Sequence, residues 1–228
     1  MSTAAAPPEE QFPRTRLVLI RHGESNANAT RTIGGHRSCT GLSDLGRRQC
    51  ARLATRLAET VELADVALYA SQYPRAIETA EILAPSLGHA EVHVEAGFGE
   101  HDPGPECDGL SYDEFIARHG WPVWESDPYA ITFPGGETVA DLHHRVGATI
   151  AAVTGRHRGG SIVVACHGGV VNAALRMALH VAPTGGFELY TTNAAITELL
   201  QVRPGRWRVL RVNDSSHLAG LPASSSSA

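Results

Sequence analysis

Two histidines stand in the same local setting. His22 follows Leu17-Val18-Leu19-Ile20-Arg21 and precedes Gly23, while His167 follows Ile162-Val163-Val164-Ala165-Cys166 and precedes Gly168-Gly169. A short unbroken apolar run is the pattern of a strand buried on both faces. Ligands of open α/β sheets gather beyond the carboxyl ends of such strands, so neighbouring runs bring both imidazoles to one place. Paired imidazoles suit a metal ion completed by carboxylates, or a phosphoryl group. Arg21 beside His22, and Arg75 shortly after a third apolar run, favour the second, because guanidinium groups grip phosphate bidentately and repel a dication. Gly168-Gly169 opens a helix whose free N–H groups attract an anion. The other ten histidines, His101 and His143 among them, read as structural.

Composition narrows the remaining chemistry. All 19 basic residues are arginine, which excludes Schiff-base lysines and the Walker-type phosphate loop. A formal net charge of −5 argues against a protein that binds nucleic acid by neutralising phosphates. The four cysteines lack C-x-x-C or metal-finger spacing and read as reduced thiols, which predicts a cytoplasmic protein. No apolar stretch has the length of a membrane span. Residues 1–13 and 222–228 have the composition of disordered ends, leaving a single domain over 14–221.

The elements that must position the histidines follow from periodicity. Ser43 is a good N-cap for a helix with Cys50, Leu53, Ala54 and Leu57 on one face. Val66 to Ala70 reads as a strand, Ser71 and Pro74 open a helix, and Val92 to Val94 is a short third strand. Ser111 with Glu114 forms a capping box that Gly120 closes. Thr138 starts a longer helix ending before Gly155, and another follows His167. Ala195 to Val202 and Arg206 to Val212, around Pro204-Gly205, predict an antiparallel edge hairpin, a possible homodimer contact. The fold class expected is α/β, a three-layer α/β/α domain with a mostly parallel central sheet. Residues 97–133 hold seven of the thirteen aromatics and eight carboxylates against one arginine, Arg118. That composition predicts an inserted cap, with a satellite apolar cluster under a loop as the alternative.

Arg21-His22-Gly23-Glu24-Ser25 with Asn28 resembles the signature of the histidine phosphatase superfamily, the phosphoglycerate-mutase-like proteins. The likeness continues in order through Gly41-Leu42-Ser43-Asp44-Leu45-Gly46, Ser71 with Arg75-Ala76-Ile77-Glu78-Thr79-Ala80, Pro134-Gly135-Gly136-Glu137-Thr138 and Cys166-His167-Gly168-Gly169. The resemblance implies His22 as a nucleophile that becomes phosphohistidine. It implies Arg21, Arg75, His167 and the Gly168 amide as holders of the phosphoryl oxygens, with Asn28 lining the pocket. It implies no metal and no cofactor. Glu100 fits the slot of the family's acid–base carboxylate, with Asp102 and Glu106 still in play because the following segment departs from the family pattern. Glu137 reads as structural, through backbone hydrogen bonds.

The same resemblance covers phosphatases, mutases and idle phospho-ligand binders. Mutases carry a Glu-Arg-x-Tyr-Gly type segment where this chain has Glu100-His101-Asp102-Pro103-Gly104. Outside the motifs only Arg118, Arg31 and Arg37 could hold a second phosphate. The expectation is a phosphatase acting on a small phosphorylated substrate, one phosphate on an apolar, neutral or amine-bearing body.

Overall fold

Six strands pair into one sheet in the order β3-β2-β4-β1-β5-β6 in a computed structural model, which describes residues 12–124 and 127–224. They are β1 (Thr15–Arg21), β2 (Val66–Ala70), β3 (Val92–Val94), β4 (Ser161–Cys166), β5 (Ile196–Arg203) and β6 (Arg206–Asp214). The β1–β4, β2–β4 and β2–β3 ladders are parallel. β5 is antiparallel to both β1 and β6, so it alone opposes the rest of the sheet. The expected mostly parallel sheet and its edge hairpin are both present, the hairpin running on to Asp214.

Period-two alternation in the buried strands divides the core into two halves. Leu17, Leu19, Ile162 and Val164 face α6 (Val139–Arg156) and α7 (Gly168–Leu179). Val18, Ile20, Val163 and Ala165 face α2 (Asp44–Thr60) and α3 (Pro74–Leu83). Helices on both faces make the third layer, and burial on both faces explains why β1 and β4 read as continuous apolar runs. The caps behave as their residue types dictate. Ser43 accepts from the Gly46 amide at the start of α2, and Pro74 occupies the first turn of α3. α6 continues through Gly155 to Arg156, two residues past the expected stop, because a glycine inside a helix weakens it without ending it.

Between β1 and α2 lies a short helix, α1 (Asn26–Ala29), capped by Ser25. The cap segment carries α4 (Gly104–Cys107) and α5 (Tyr112–His119), whose Ser111–Glu114 capping box and Gly120 terminus match the reading of the sequence. Phe115, Cys107 and Phe133 form a small core of their own, completed by Ile33 from outside the cap. The alternative reading of this region, a satellite apolar cluster, is therefore present. A second tie is electrostatic, since the Asp108 carboxylate accepts from the backbone amides of Gly35, Arg37 and Ser38. At the chain end, Ser224 is buried and its hydroxyl accepts from Gln49 Nε2 at 2.9 Å, so the tail drawn from residue 222 starts too early. Residues 1–11 and 225–228, the bulk of the two expected disordered ends, lie outside the described residues.

Candidate active site

Because β1 and β4 are neighbours, with Arg21 in register with Cys166, the two histidines emerge side by side one residue past the ladder. Their ring centroids are 5.1 Å apart, edge to face, and both rings are buried. The loop leaving β1 packs hard on the first turn of α2. A Cβ on Gly23 would stand 2.6 Å from the Gly46 carbonyl oxygen, and one on Gly46 would stand 2.0 Å from that of Glu24. Glycine at both positions lets the backbones touch, and the Glu24 carboxylate then accepts from the Ser43 hydroxyl at 2.8 Å.

Hydrogen bonds fix which ring nitrogen of each histidine is reactive. The Gly23 carbonyl oxygen lies 2.6 Å from His22 Nδ1 and has only lone pairs, so Nδ1 carries the proton. Nε2 of His22 keeps its lone pair and accepts from Arg75 Nε at 3.1 Å. The same Arg75 Nε is 3.3 Å from His167 Nδ1, and Arg75 Nη1 donates to the Gly34 carbonyl at 3.0 Å. His167 Nε2 is 2.6 Å from Ser71 Oγ. Ser71 thus anchors the second histidine, while Tyr73 takes the N-cap position of α3. Arg21 Nη1 donates to the Thr191 carbonyl, and Arg21 Nε is buried with no hydrogen-bond partner among the described residues. A buried, unpaired guanidinium N–H is costly unless a ligand supplies the acceptor.

Burial, followed by the charges of Arg75 and Arg21, holds the His22 imidazole well below the usual histidine range. His167 is depressed in the same direction, again by burial first and Arg75 second. Two neutral imidazoles, one with an unprotonated Nε2 that accepts from Arg75, therefore sit among guanidinium groups. The site is preorganised for a tetrahedral anion, not for a cation.

Glu100 comes to the same place from the cap. One carboxylate oxygen accepts from the Gly169 amide at 3.2 Å and the other from the His101 amide at 3.0 Å. A Cβ at position 169 would lie 2.3 Å from Glu100 Oε1, so only glycine allows this approach to the N-terminus of α7. Asn28 lines the cavity as expected; its Oδ1 accepts from the Ser25 amide, which turns its NH2 end away from that bond. Asp102 instead caps the local turn by accepting from the Gly104 amide, and Glu106 is exposed, so neither joins the cluster.

Several contributors escaped the reading of the sequence. Arg145 on α6 donates to the carbonyls of Gly97, Gly99 and Glu100, holding the segment that carries Glu100. Its guanidinium pairs with Glu137 at 2.8 Å. Glu137 is thus held chiefly by a side-chain ion pair, with one backbone amide, Asp102, adding a bond at 3.3 Å. Arg176 on α7 is buried and donates to the carbonyls of Ala182, Gly185 and Phe187, shaping a loop that walls the cavity. An arginine set among apolar helix positions is the signal that both cases share. His101 and His143, read as structural, also face the cavity.

The cavity measures about 790 Å³ and reaches from Arg21, His22 and Arg75 outward to Trp124, Leu142 and Phe187. That is within the usual size of small-molecule sites and far more than a phosphoryl group fills. No helix among the described residues is long and apolar enough to cross a membrane.

Comparison with known proteins agrees with this geometry. Residues 17–215 match the model of the histidine phosphatase superfamily, branch 1. Phosphoglycerate mutase-like protein 4 of Arabidopsis thaliana is 31% identical over 92% of this chain and 89% of its own. The metal-independent phosphoserine phosphatase of the same plant is 29% identical over 91% of this chain and 84% of its own. Among solved structures, mycobacterial glucosyl-3-phosphoglycerate phosphatase complexed with VO3 superposes with a TM-score of 0.74 at 26% identity, covering 87% of this chain and 99% of that one.

Proposed function

The chain belongs to the histidine phosphatase superfamily, and from that footing we propose that it is a metal-independent phosphomonoester hydrolase working through phosphohistidine on a small phosphorylated metabolite. The observation that carries this reading is the unprotonated His22 Nε2 among guanidinium donors: Arg75 Nε donates to it, and Arg21 Nε is buried without a hydrogen-bond partner among the described residues. Arg75 Nε lies within 3.3 Å of both histidines, so a guanidinium already stands where two imidazoles would share a metal ion. Relatives named as a metal-independent phosphoserine phosphatase and a glucosyl-3-phosphoglycerate phosphatase support hydrolysis. The four cysteines are all unpaired and buried, which favours the reducing cytoplasm.

The reaction runs in two displacements. The Nε2 lone pair of His22 attacks phosphorus in line, the P–O ester bond breaks, and Glu100 gives its proton to the departing alkoxide. Charge on the equatorial oxygens is met by Arg21, Arg75 and His167 with the Gly168 amide, so stabilisation is electrostatic and set before substrate arrives. Water then attacks the phosphohistidine, Glu100 takes back a proton, the P–N bond breaks, and phosphate leaves with His22 neutral again. None of Arg31, Arg37 and Arg118 lines the cavity, which leaves its wall without those extra cations for the second phosphate that a bisphosphate-dependent mutase must hold.

The test is phosphate release from an aryl phosphate in the presence of chelator, by wild type and His22→Ala. Release that survives chelation and disappears in the variant, with an acid-labile phosphoenzyme trapped by rapid quench, is the expected result. Isomerisation of 3-phosphoglycerate in the presence of bisphosphoglycerate, with no inorganic phosphate formed, would overturn it.

A further inference from the structure

Gln49 is a polar side chain in an apolar place. It lies on the buried face of α2 among Cys50, Leu53 and Leu57. A buried amide keeps such a place only when both of its ends are bonded. Its Oε1 accepts from the Glu24 amide at 2.8 Å, and its Nε2 donates to Ser224 Oγ at 2.9 Å. Because the Glu24 N–H can only donate, the side-chain amide has one possible orientation.

The peptide that donates to Gln49 is also the peptide that holds the nucleophile. The Gly23 carbonyl and the Glu24 N–H belong to one planar trans unit and point in opposite directions. On its other side, the Gly23 carbonyl oxygen accepts from His22 Nδ1 at 2.6 Å. A single chain of hydrogen bonds therefore runs from His22 Nδ1–H through this peptide and the Gln49 side chain to the Ser224 hydroxyl. Every bond in it points the same way, so the dipoles add and each link strengthens the next. His22, Glu24, Gln49 and Ser224 are all buried, which keeps water from competing for these bonds.

We propose that Gln49, with Ser224 behind it, is a positioning residue for the nucleophile: it aims the Gly23 carbonyl at His22 Nδ1 and makes that oxygen a stronger acceptor during attack. The inference rests on the phosphatase reading and deepens it. As the Nε2 lone pair forms the N–P bond and the P–O ester bond breaks, the neutral imidazole becomes a ring carrying positive charge, with Nδ1 still protonated. The Gly23 carbonyl meets that charge from behind, and the aligned Gln49 dipole supports it. Neither Gln49 nor Ser224 lines the cavity, so both act through His22 and not on substrate.

The test uses Gln49→Met, which keeps the length of the side chain and removes its acceptor, together with Ser224→Ala and Ser224→Thr. Two readouts are taken: turnover of an aryl phosphate, and the proton NMR signal of His22 Nδ1–H, identified by its loss in His22→Ala. Gln49→Met is expected to lower kcat roughly tenfold with KM kept, and to move that signal upfield as the hydrogen bond weakens. Ser224→Ala is expected to move both in the same direction by less, about threefold in kcat, and Ser224→Thr to restore both. Wild-type kcat or an unmoved signal in folded Gln49→Met, or in Ser224→Ala should the first variant not fold, overturns the inference and leaves hydrolysis standing. A raised KM at unchanged kcat does the same. No phosphate release by folded wild type removes the phosphatase reading and the inference with it.

Discussion

The two ends of the cavity are built by different means. At the phosphoryl end, His22 and His167 leave adjacent strands, Arg75 opens a helix, and each side chain is buried and held by at least one hydrogen-bond partner: a carbonyl, a hydroxyl or a ring nitrogen. At the outer end, Trp124, Glu188 and Tyr190 come from irregular segments and stay exposed. Regular elements fix reacting atoms to within the tolerance that in-line attack demands, whereas loops set which body the phosphate is attached to. Substitutions at the first end are therefore expected to reduce turnover, and those at the second to change preference.

The largest effect expected is at the nucleophile. His22→Ala removes the lone pair that attacks phosphorus and is expected to cost roughly four orders of magnitude or more in kcat, read by phosphate release. Gly169→Ala comes next. Its methyl group would overlap Glu100 Oε1 and push the carboxylate off the α7 terminus, with kcat falling by about a hundredfold while the fold, checked by circular dichroism, persists. Arg145→Gln loosens the three carbonyls around Glu100 without touching substrate. A kcat about tenfold lower with KM kept is the expected split, and Arg145→Lys recovers only part because one ammonium cannot span those carbonyls and Glu137 together. A larger change in KM than in kcat would assign Arg145 to substrate binding instead.

The smallest effect is thermodynamic and separates the ends by pH. His22 and His167 are held neutral, by burial first and arginine second, and His143 and His217 are lowered by burial too. In the unfolded chain these imidazoles take up protons as pH falls below about 6.5, while the buried ones resist. The unfolded state then binds more protons, so this stability is complete above about 6.5 and is lost progressively below it. Tm is expected to drop between pH 7.5 and 5.5, and by less in a His22→Asn, His167→Asn double variant. Trp124→Ala at the outer end should leave that slope unchanged.

The same contrast explains what the sequence disclosed. β1 and β4 were legible because burial on both faces writes an unbroken apolar run, whereas the short edge strand β3, Val-His-Val and largely exposed, was legible only from its two valines. The strand–histidine–glycine repeat then announced the phosphoryl end, and the resemblance supplied the roles. The 183–191 wall carries no such mark: its Gly185-Gly186 and mixed polar residues follow no period, and it is held by Arg176, buried in the third turn of α7, and by Arg21 at Thr191. Arg145 was hidden for a related reason, since three of its acceptors are backbone carbonyls that no side-chain pattern encodes. Glu137 looked structural and is, yet its partner became visible only once α6 was laid against the cap.

One contact limits how such enzymes can be recombined. Asp108 belongs to the cap, but the three amides it collects belong to the loop after α1, and the Gly34 carbonyl at the head of that loop receives Arg75 Nη1. A chimera that exchanges residues 97–133 for a different cap inherits a phosphoryl cradle with one of its struts cut. Transplanting substrate preference from one member to another therefore requires moving the 33–38 loop together with the cap, as a single cassette.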